Sequence, residues 1–423
     1  MQKIFYNARF ITMNDKQKSA EAMLVNDDAI VFMGEKEEVL QMKTDETELI
    51  DLNQKIVMPT FFDVCADVYL EIENRLKTAN NDKFIEKTAE NDENYEKFNN
   101  YKHYKKEFLI IQDELLKLGI TTIQEKISSK EEFVFWKKIS EDGSLKIDVI
   151  GYVDFVRNKQ IMDDNCRSYR KYKNHFRLGG YHISLDGLLI NRKACLSKKY
   201  PKEKNYSGYL ELGLEQLKII IKTALEEKKQ LMVFADGDRS VKEFLLTYEE
   251  QVKEKPVEDN YRPVIVGSNF VNKKTLNLFS KFNVMVCFRI DELMENYDTF
   301  KLYFGKSKLK KLIPLSVCKK NGLKNLLCST NNFNTFNVYK FLTSKDKLHN
   351  KIFGKKSVFE EYDILEMLTT TPAYYAFDLD QKGFFDSGKK ANFLVLDKSL
   401  NDENANVEQI YLDGELIFEN NKK

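Results

Sequence analysis

The amino-acid sequence predicts an α/β protein: a TIM-type (β/α)8 barrel with an accessory β-sandwich formed by both chain termini. Three observations favour this fold class. Eight short apolar runs recur through the middle of the chain, and most are separated by amphipathic stretches of helical period. Both ends of the chain instead carry short β-prone runs joined by turn-forming Asn, Asp and Gly residues. Eight strands alternating with helices over roughly 320 residues match the usual size of such a barrel.

The two ends of the chain are expected to form one composite β-sandwich from residues 1–56 and 378–423. Alternating apolar residues bounded by turn formers define its strands, and Asp413–Gly414 is the strongest turn signal in the chain. The predicted strands are Ile4–Arg9, Phe10–Met13, Ala22–Val25, Ala29–Met33, Glu48–Leu52, Lys55–Val57, Asn392–Leu396, Gln409–Leu412 and Glu415–Phe418.

The middle of the chain, residues 57–377, is predicted to form the barrel. Leu214, Leu217 and Ile221 fall on one face of a helix and illustrate the segments between the strands. A doubly wound open sheet is the alternative, but no G-x-G-x-x-G motif follows the early strands. The predicted strands are Ile56–Met58, Gly119–Gln124, Ile147–Tyr152, His182–Leu185, Leu231–Ala235, Pro263–Val266, Val284–Phe288 and Asn325–Cys328.

A charged insertion at about 71–107 interrupts the alternation of strands and helices. The segment is rich in Asn, Tyr and charged residues, and its apolar residues are sparse. This composition favours a solvated helical excursion between the first two barrel strands. The alternative is a lid over the barrel mouth, because long insertions between a strand and its helix often serve that role.

The charge and cysteine content exclude several functions. The chain has 67 Lys and Arg against 66 Asp and Glu, so its formal net charge is +1. Nucleic-acid binders and polybasic membrane proteins carry a strong cationic excess, so neither partner is expected. No apolar run approaches the roughly 20 residues of a membrane span, and no secretory signal is expected. The six cysteines are scattered, which predicts free thiols in a reducing cytoplasm.

Several motifs resemble the amidohydrolase superfamily in the order that this family has them. Residues 4–13 and 22–34 are similar to its opening strands, and Val57–Asp63 lies where the family enters its barrel. Gln230–Val241 resembles the fifth-strand motif of the N-substituted formamide deformylase-like subgroup, and Gly180–Gly187 resembles its fourth strand. Further similar segments are Leu118–Ile123, Thr371–Ala373, Lys382–Gly383, Ser387–Asp397 and Leu412–Gly414.

The resemblance implies hydrolysis of non-peptide carbon–nitrogen bonds at the C-terminal mouth of the barrel. Members of this family hold one or two divalent metals such as zinc there, and the metal lowers the pKa of bound water to about 7. Their ligands are a His-x-His after strand one, a lysine or equivalent on strand four, one histidine each from strands five and six, and an aspartate after strand eight.

In this sequence those positions carry other residues. Cys65 and Asp67 occupy the His-x-His position, and His182 occupies the position of the strand-four lysine. The strand-five, strand-six and strand-eight positions carry Phe234, Gly267 and Thr330. A phenyl ring and a bare backbone supply no ligand, and a threonine hydroxyl cannot act as a carboxylate base. The chain is therefore predicted to have no metal cofactor.

Three functions are open at this point. The leading hypothesis is an amidohydrolase-like protein that has lost its metal site and metal-dependent activity, and keeps at most a small-molecule cavity at the barrel mouth. The second is an active hydrolase of a small amide, formamide or cyclic imide that uses a rebuilt site of Cys65, Asp67 and His182. The third is a non-catalytic regulatory or scaffolding partner of an active paralogue. Family relatives are often dimers, so the resemblance also allows a homodimer.

Overall fold

A computed structural model describes most of the chain. The described residues are 1–79, 93–254, 261–271, 273–309, 311–323, 325–328, 335–344, 347–353 and 359–420. The strands in chain order are β1 (Gln2–Ile11), β2 (Ser19–Ala20), β3 (Ala22–Asn26), β4 (Ala29–Gly34), β5 (Glu48–Pro59), β6 (Phe61–Asp63), β7 (Ile120–Ile127), β8 (Asp148–Asp154), β9 (Phe176–Ser184), β10 (Gln230–Ala235), β11 (Val264–Gly267), β12 (Met285–Arg289), β13 (Asn325–Cys328), β14 (Phe393–Leu396), β15 (Val407–Leu412) and β16 (Glu415–Glu419).

Helices follow most strands of the middle region. They are α1 (Lys36–Leu40), α2 (Val68–Ala79), α3 (Glu93–Lys117), α4 (Lys130–Glu141), α5 (Phe155–Asp164), α6 (Leu214–Glu226), α7 (Asp238–Glu254), α8 (Lys273–Lys281), α9 (Ile290–Glu295), α10 (Tyr297–Leu309), α11 (Leu315–Lys320), α12 (Thr335–Thr343), α13 (Lys347–Ile352), α14 (Glu361–Leu368) and α15 (Thr370–Tyr375). None of these helices, within the described residues, is long and apolar enough to cross a membrane. A cytoplasmic location stays a prediction.

The two ends of the chain share one sheet. Its strand order is β16-β15-β14-β5-β1-β3-β4, with β2 paired to β1. Two strands separate β1 from β15, so Phe5 and Tyr411 would be about 14 Å apart if this sheet were flat. Their ring centroids are only 4.9 Å apart, and both rings contact Phe393. The terminal sheet is therefore strongly curled around an aromatic cluster, whereas a two-layer sandwich stays a prediction.

The first predicted barrel strand is wrong. Ile56–Met58 belongs to β5 of the terminal sheet, where Val57 pairs with Phe10 on one side and with Val395 on the other. The first strand of the parallel sheet is instead the short β6, which follows Pro59 after a single residue. The apolar character of 56–58 comes from burial between β1 and β14, and this burial gives the same sequence signal as a barrel strand.

The middle of the chain forms a parallel sheet in the order β6 to β13. Every recorded neighbour pair in it is parallel, and β7–β13 overlap the other seven predicted strands. The largest difference is in β9, which begins at Phe176 and not at the predicted His182. The sheet is curled, because α14 contacts both its first strand, β6, and its last, β13. Phe62, Tyr152, Met232 and Met285 from different strands share one buried apolar cluster on its inner side.

The charged insertion is helical where it is described. Residues 80–92 lie outside the described part, while α2 and the C-terminal part of α3 pack against each other. Arg75 of α2 donates two hydrogen bonds to Glu114 of α3, at 3.0 and 2.7 Å, and one to Glu71 at 2.8 Å. The helices agree with the predicted helical excursion, and the lid alternative stays a prediction.

Candidate functional site at the C-terminal ends of the parallel strands

The sequence-predicted site residues lie at one edge of the parallel sheet. Cys65 and Asp67 follow β6, and His182 lies near the end of β9. Phe234 is the penultimate residue of β10, and Gly267 is the last residue of β11. Thr330 lies outside the described residues. Because the strands are parallel, their carboxyl ends form one mouth, which is where barrels of this kind place their active sites.

A lysine that the sequence analysis missed lies at the centre of this mouth. The Lys126 ammonium on β7 is 2.7 Å from Asp67 Oδ1 and 4.9 Å from the centroid of the Phe234 ring. Burial lowers the pKa of Lys126, but the Asp67 carboxylate and Cys65 more than compensate and hold it above its usual range. Lys126 is therefore a fixed positive charge. The polar run Gln124–Glu125–Lys126, at and just after the end of the predicted strand Gly119–Gln124, was the available signal.

His182 is buried beside the same lysine. Its ring meets the ring of Phe234 edge to face, with the centroids 6.0 Å apart. Burial lowers the pKa of His182 to about 4, and Lys126 adds to the shift while Asp154 opposes it. The imidazole is thus neutral at pH 7, the form that can bind a metal. Within the described residues, neither of its ring nitrogens has a hydrogen-bond partner.

The turn that carries Cys65 and Asp67 is fastened to β7. Glu125 accepts hydrogen bonds from the backbone N–H groups of Val68 and Tyr69, at 2.9 and 3.0 Å. These groups belong to the first turn of α2, where N–H groups lack partners inside the helix. Asp67 itself has a positive φ of 46°. The turn therefore holds the Asp67 carboxylate toward Lys126.

The strand-six position has no room for a side chain. A Cβ atom on Gly267, whose φ is +113°, would lie 2.4 Å from Asp236 Oδ1 and 2.7 Å from the Ala235 carbonyl oxygen. Asp236 cannot easily move away, because its carboxylate accepts hydrogen bonds from Arg289 and from the Leu189 backbone N–H. The pair of Asp236 and Arg289 fills the space beside Gly267, and sequence reasoning did not identify it.

A buried carboxylate fastens the loop after β9 to the end of β10. Asp186 accepts hydrogen bonds from the backbone N–H groups of Cys195, Asp236 and Gly237 at 2.7 to 2.9 Å, and from the Ser240 hydroxyl at 2.5 Å. A Cβ on Gly237 would lie 2.0 Å from the Cys195 carbonyl oxygen, so the loop can approach this closely only over a glycine. This part of the mouth is therefore covered by a rigid loop.

These side chains do not fit the metal centre that the resemblance implies. Among the residues the structure describes, no group of three or more His, Cys, Asp or Glu side chains is arranged to hold a metal ion. Cys65, Asp67 and His182 all interact with Lys126, but they do not form a ligand set. An ammonium group and a phenyl ring lie among them, and neither can coordinate a cation.

Comparison with known proteins connects this fold to a family. The model of the Amidohydrolase family matches residues 75–418. The structure is similar to an uncharacterized metal-dependent hydrolase from Pyrococcus furiosus, with a TM-score of 0.78 and 16% identity over 95% of this chain and 100% of that chain. It is also similar to the guanine deaminase of C. acetobutylicum, which was solved with guanine in its active site. That TM-score is 0.63, with 16% identity over 99% and 100% of the two chains.

A short segment is similar to a regulatory protein. It is 37% identical over 60 residues to the exoenzymes regulatory protein AepA of Pectobacterium carotovorum subsp. carotovorum. The match spans 14% of this chain and 13% of that relative, so it leaves most of both proteins uncompared.

Proposed function

Because this chain belongs to the amidohydrolase family, we propose that it keeps the fold of that family and has lost metal-dependent hydrolysis. On this proposal, the subgroup of the family that the chain resembles most in sequence is the N-substituted formamide deformylase-like subgroup. The parallel sheet closes into a (β/α)8 barrel over residues 57–377, and residues 1–56 and 378–423 form the accessory sandwich. The barrel mouth is then a binding site for a small molecule and not a hydrolytic centre.

The Lys126 ammonium carries this proposal. It contacts or interacts with side chains at the strand-one, strand-four and strand-five ligand positions, namely Asp67, His182 and Phe234. A second unit charge 4 Å from the ammonium would be repelled by about 4 kcal/mol at an effective dielectric constant of about 20, and a divalent ion by about twice that. The lysine thus supplies the positive charge that a metal supplies in active relatives.

Gly267 and Asp236 support the same proposal independently. A histidine at the strand-six position would require the Asp236–Arg289 ion pair to move. Thr330, at the position of the proton-transferring aspartate, has no carboxylate. Loss of the ligand side chains is compatible with a stable fold, because the core of a barrel and its mouth can diverge separately.

Metal content and metal-dependent stability test the proposal. We expect protein purified without chelators to contain less than about 0.1 equivalent of zinc, iron or manganese by ICP-MS. We also expect added zinc to leave the melting temperature unchanged, because a ligand stabilises only a fold that binds it. EDTA-treated protein is the control. Stoichiometric metal, or stabilisation by zinc that EDTA reverses, would overturn the proposal.

The alternative is an active hydrolase with a rebuilt site. It is favoured by the position of Cys65, Asp67 and His182 around one lysine, with a neutral imidazole as a candidate base. On this alternative, Asp67→Ala and His182→Ala abolish turnover of a small amide, formamide or cyclic imide, and circular dichroism checks that each variant is folded. Absence of turnover by the parent chain across amides, lactams and esters would count against it.

A regulatory role is compatible with the leading proposal. A chain without hydrolytic chemistry acts by binding, and AepA, which a short segment of this chain resembles, is an exoenzymes regulatory protein. Co-purification of an active paralogue from the native source would support a partner role, while a homo-oligomer without other components would weaken it.

A further inference from the structure

A second cavity lies outside the barrel mouth, between α2, α3 and α4. Its volume is about 770 Å³, which falls in the range of cavities that bind small molecules. It does not include Cys65, Asp67, Lys126 or His182. A ligand here therefore contacts none of those four side chains.

Aromatic side chains form the inner wall of this cavity. The ring of Tyr69 lies 5.3 Å from that of Tyr104 and 5.5 Å from that of Phe135, and Tyr101 lies 6.3 Å from Phe135. Most of these pairs meet edge to face, so the rings present faces in several directions. The negative face of an aromatic ring attracts a cation. The Tyr101 ring already contacts a cation, because the exposed Lys138 ammonium lies 5.4 Å from its centroid.

Three carboxylates line the same cavity, those of Glu73, Glu131 and Glu132, and the last two are on α4. Glu73 and Tyr104 both line it. Burial raises the pKa of Tyr104, and so do the charge of Glu73 and a hydrogen bond between the two side chains. Glu132 is half-buried and accepts hydrogen bonds from the backbone N–H groups of Ser128 and Ser129. Burial raises the pKa of Glu132 to about 7, and Glu73 adds to the shift. Glu73 also pairs with the exposed Lys77 ammonium, at 3.7 Å.

We propose that this cavity binds a small alkylammonium ion, with its charge against Glu73 and Glu132 and its methyl or methylene groups against Tyr69, Tyr104 and Phe135. Aromatic faces and carboxylates together suit an organic cation better than any other class of ligand. An anion would be repelled by these carboxylates, and a neutral ligand would gain nothing from their charge. Lys130 and Lys138 also line the cavity, but both are exposed at its rim, where water screens their charges.

Calorimetric titration of the full chain with a matched pair of probes tests this inference. Choline is the cation, and 3,3-dimethylbutan-1-ol is its uncharged isostere, both in a buffer free of amines. We expect choline to bind at least about 10-fold more tightly than the alcohol, since the cation–aromatic attraction is lost with the charge. Equal affinity for the two probes would overturn the inference. So would the absence of detectable binding at a choline concentration of about 10 mM.

Two variants assign the binding to this cavity. Glu73→Gln keeps the shape of the side chain and removes its charge, and Tyr104→Leu removes a ring face. Each is expected to weaken choline binding by about 5- to 30-fold, while Tyr209→Leu, at an exposed position outside the cavity, leaves it unchanged. Circular dichroism checks that each variant is folded. A folded Glu73→Gln protein that binds choline like the parent chain would overturn the assignment.

Discussion

At the scale of single residues, one glycine and one lysine determine how the side chains of the candidate site are arranged. Gly267 leaves the space that the Asp236–Arg289 ion pair fills, and Lys126 neutralises Asp67. Neither residue resembles a catalytic group by itself. Their effect comes from the neighbours that the parallel register brings to the same edge of the sheet.

Gly267→Ala is expected to destabilise the protein. Its φ of +113° is unfavourable for alanine, and the new Cβ would lie 2.4 Å from Asp236 Oδ1. Backbone strain and displacement of a buried ion pair together predict a loss of about 2 to 4 kcal/mol in the free energy of unfolding. Urea denaturation followed by circular dichroism measures this loss.

Gly143→Ala is the matched control. Gly143 also has a positive φ, +72°, but a Cβ there would meet no atom within 4 Å. Its loss is expected to be about 1 kcal/mol, from backbone strain alone. Equal losses in the two variants would mean that contact with Asp236 contributes nothing at Gly267.

At the scale of elements, polar side chains fix the ends of the strands. Glu125 on β7 binds the first turn of α2, and Asp186 binds the turn after β10. At the opposite ends of the strands, Asp148 at the start of β8 is 2.8 Å from Nδ1 of His175, directly before β9. These contacts set the relative positions of neighbouring elements, because they join segments distant in sequence.

The His175–Asp148 pair predicts a pH dependence of stability. The hydrogen bond to Asp148 raises the pKa of His175, although burial opposes the shift. Because the pKa of His175 is higher in the folded chain, the protonated His175–Asp148 pair stabilises the fold fully at pH values below the unfolded-state pKa of about 6.5. This stabilisation is lost as the pH rises through the folded-state pKa. The parent chain should therefore lose more stability than His175→Asn between about pH 6.5 and 8.

The size of this difference is expected to be below about 1 kcal/mol, because the His175 side chain is 40% exposed. Melting temperatures measured at half-unit pH steps for both proteins give the difference directly. Parallel pH profiles for the parent chain and His175→Asn would contradict the prediction.

At the scale of the whole molecule, a buried lysine joins the C-terminal segment to the parallel sheet. Lys382 is 2.6 Å from Asp148 and 3.4 Å from Asp378, and it donates a hydrogen bond to Thr122 at 3.0 Å. Burial lowers its pKa, but Asp148 and the other partners hold it above the usual range. Arg177 also pairs with Asp378, at 3.0 Å, so the network links both regions of the chain.

Lys382→Met is expected to cost about 3 to 5 kcal/mol in the free energy of unfolding, because it leaves buried carboxylates without one of their cations. Lys390→Met is the control, since Lys390 pairs with Asp413 at a partly exposed site. That variant should lose less than about 1 kcal/mol. Denaturant titration compares the two, and similar losses would show that the buried network contributes no more than an ordinary surface ion pair.

Much of this architecture could be predicted from the sequence, and the exceptions have physical causes. The amidohydrolase superfamily is confirmed, and β7–β13 lie where apolar runs predicted strands. The segment Ile56–Met58 was assigned to the wrong sheet, because burial between two strands gives the same pattern in either sheet. Phe61–Asp63 is too short to give a periodic signal.

The candidate site was predictable only in part. Resemblance assigned ligand positions to Cys65, Asp67, His182, Phe234 and Gly267, and these residues lie at or just after the C-terminal ends of their strands. Their correspondence to the metal ligands of the family stays a prediction. The partners of these residues could not be predicted, because they depend on the register between strands and on how loops cross the mouth.

The pairing of β5 with β14 has a consequence for the synthesis of the chain. One edge of β5, which ends at Pro59, has no strand beside it until Phe393 has left the ribosome. At translation rates of about 5 to 20 residues per second, this interval lasts roughly half a minute. The nascent N-terminal half therefore carries an unpaired strand edge while the parallel sheet is being made, and such an edge can pair with another chain until β14 covers it.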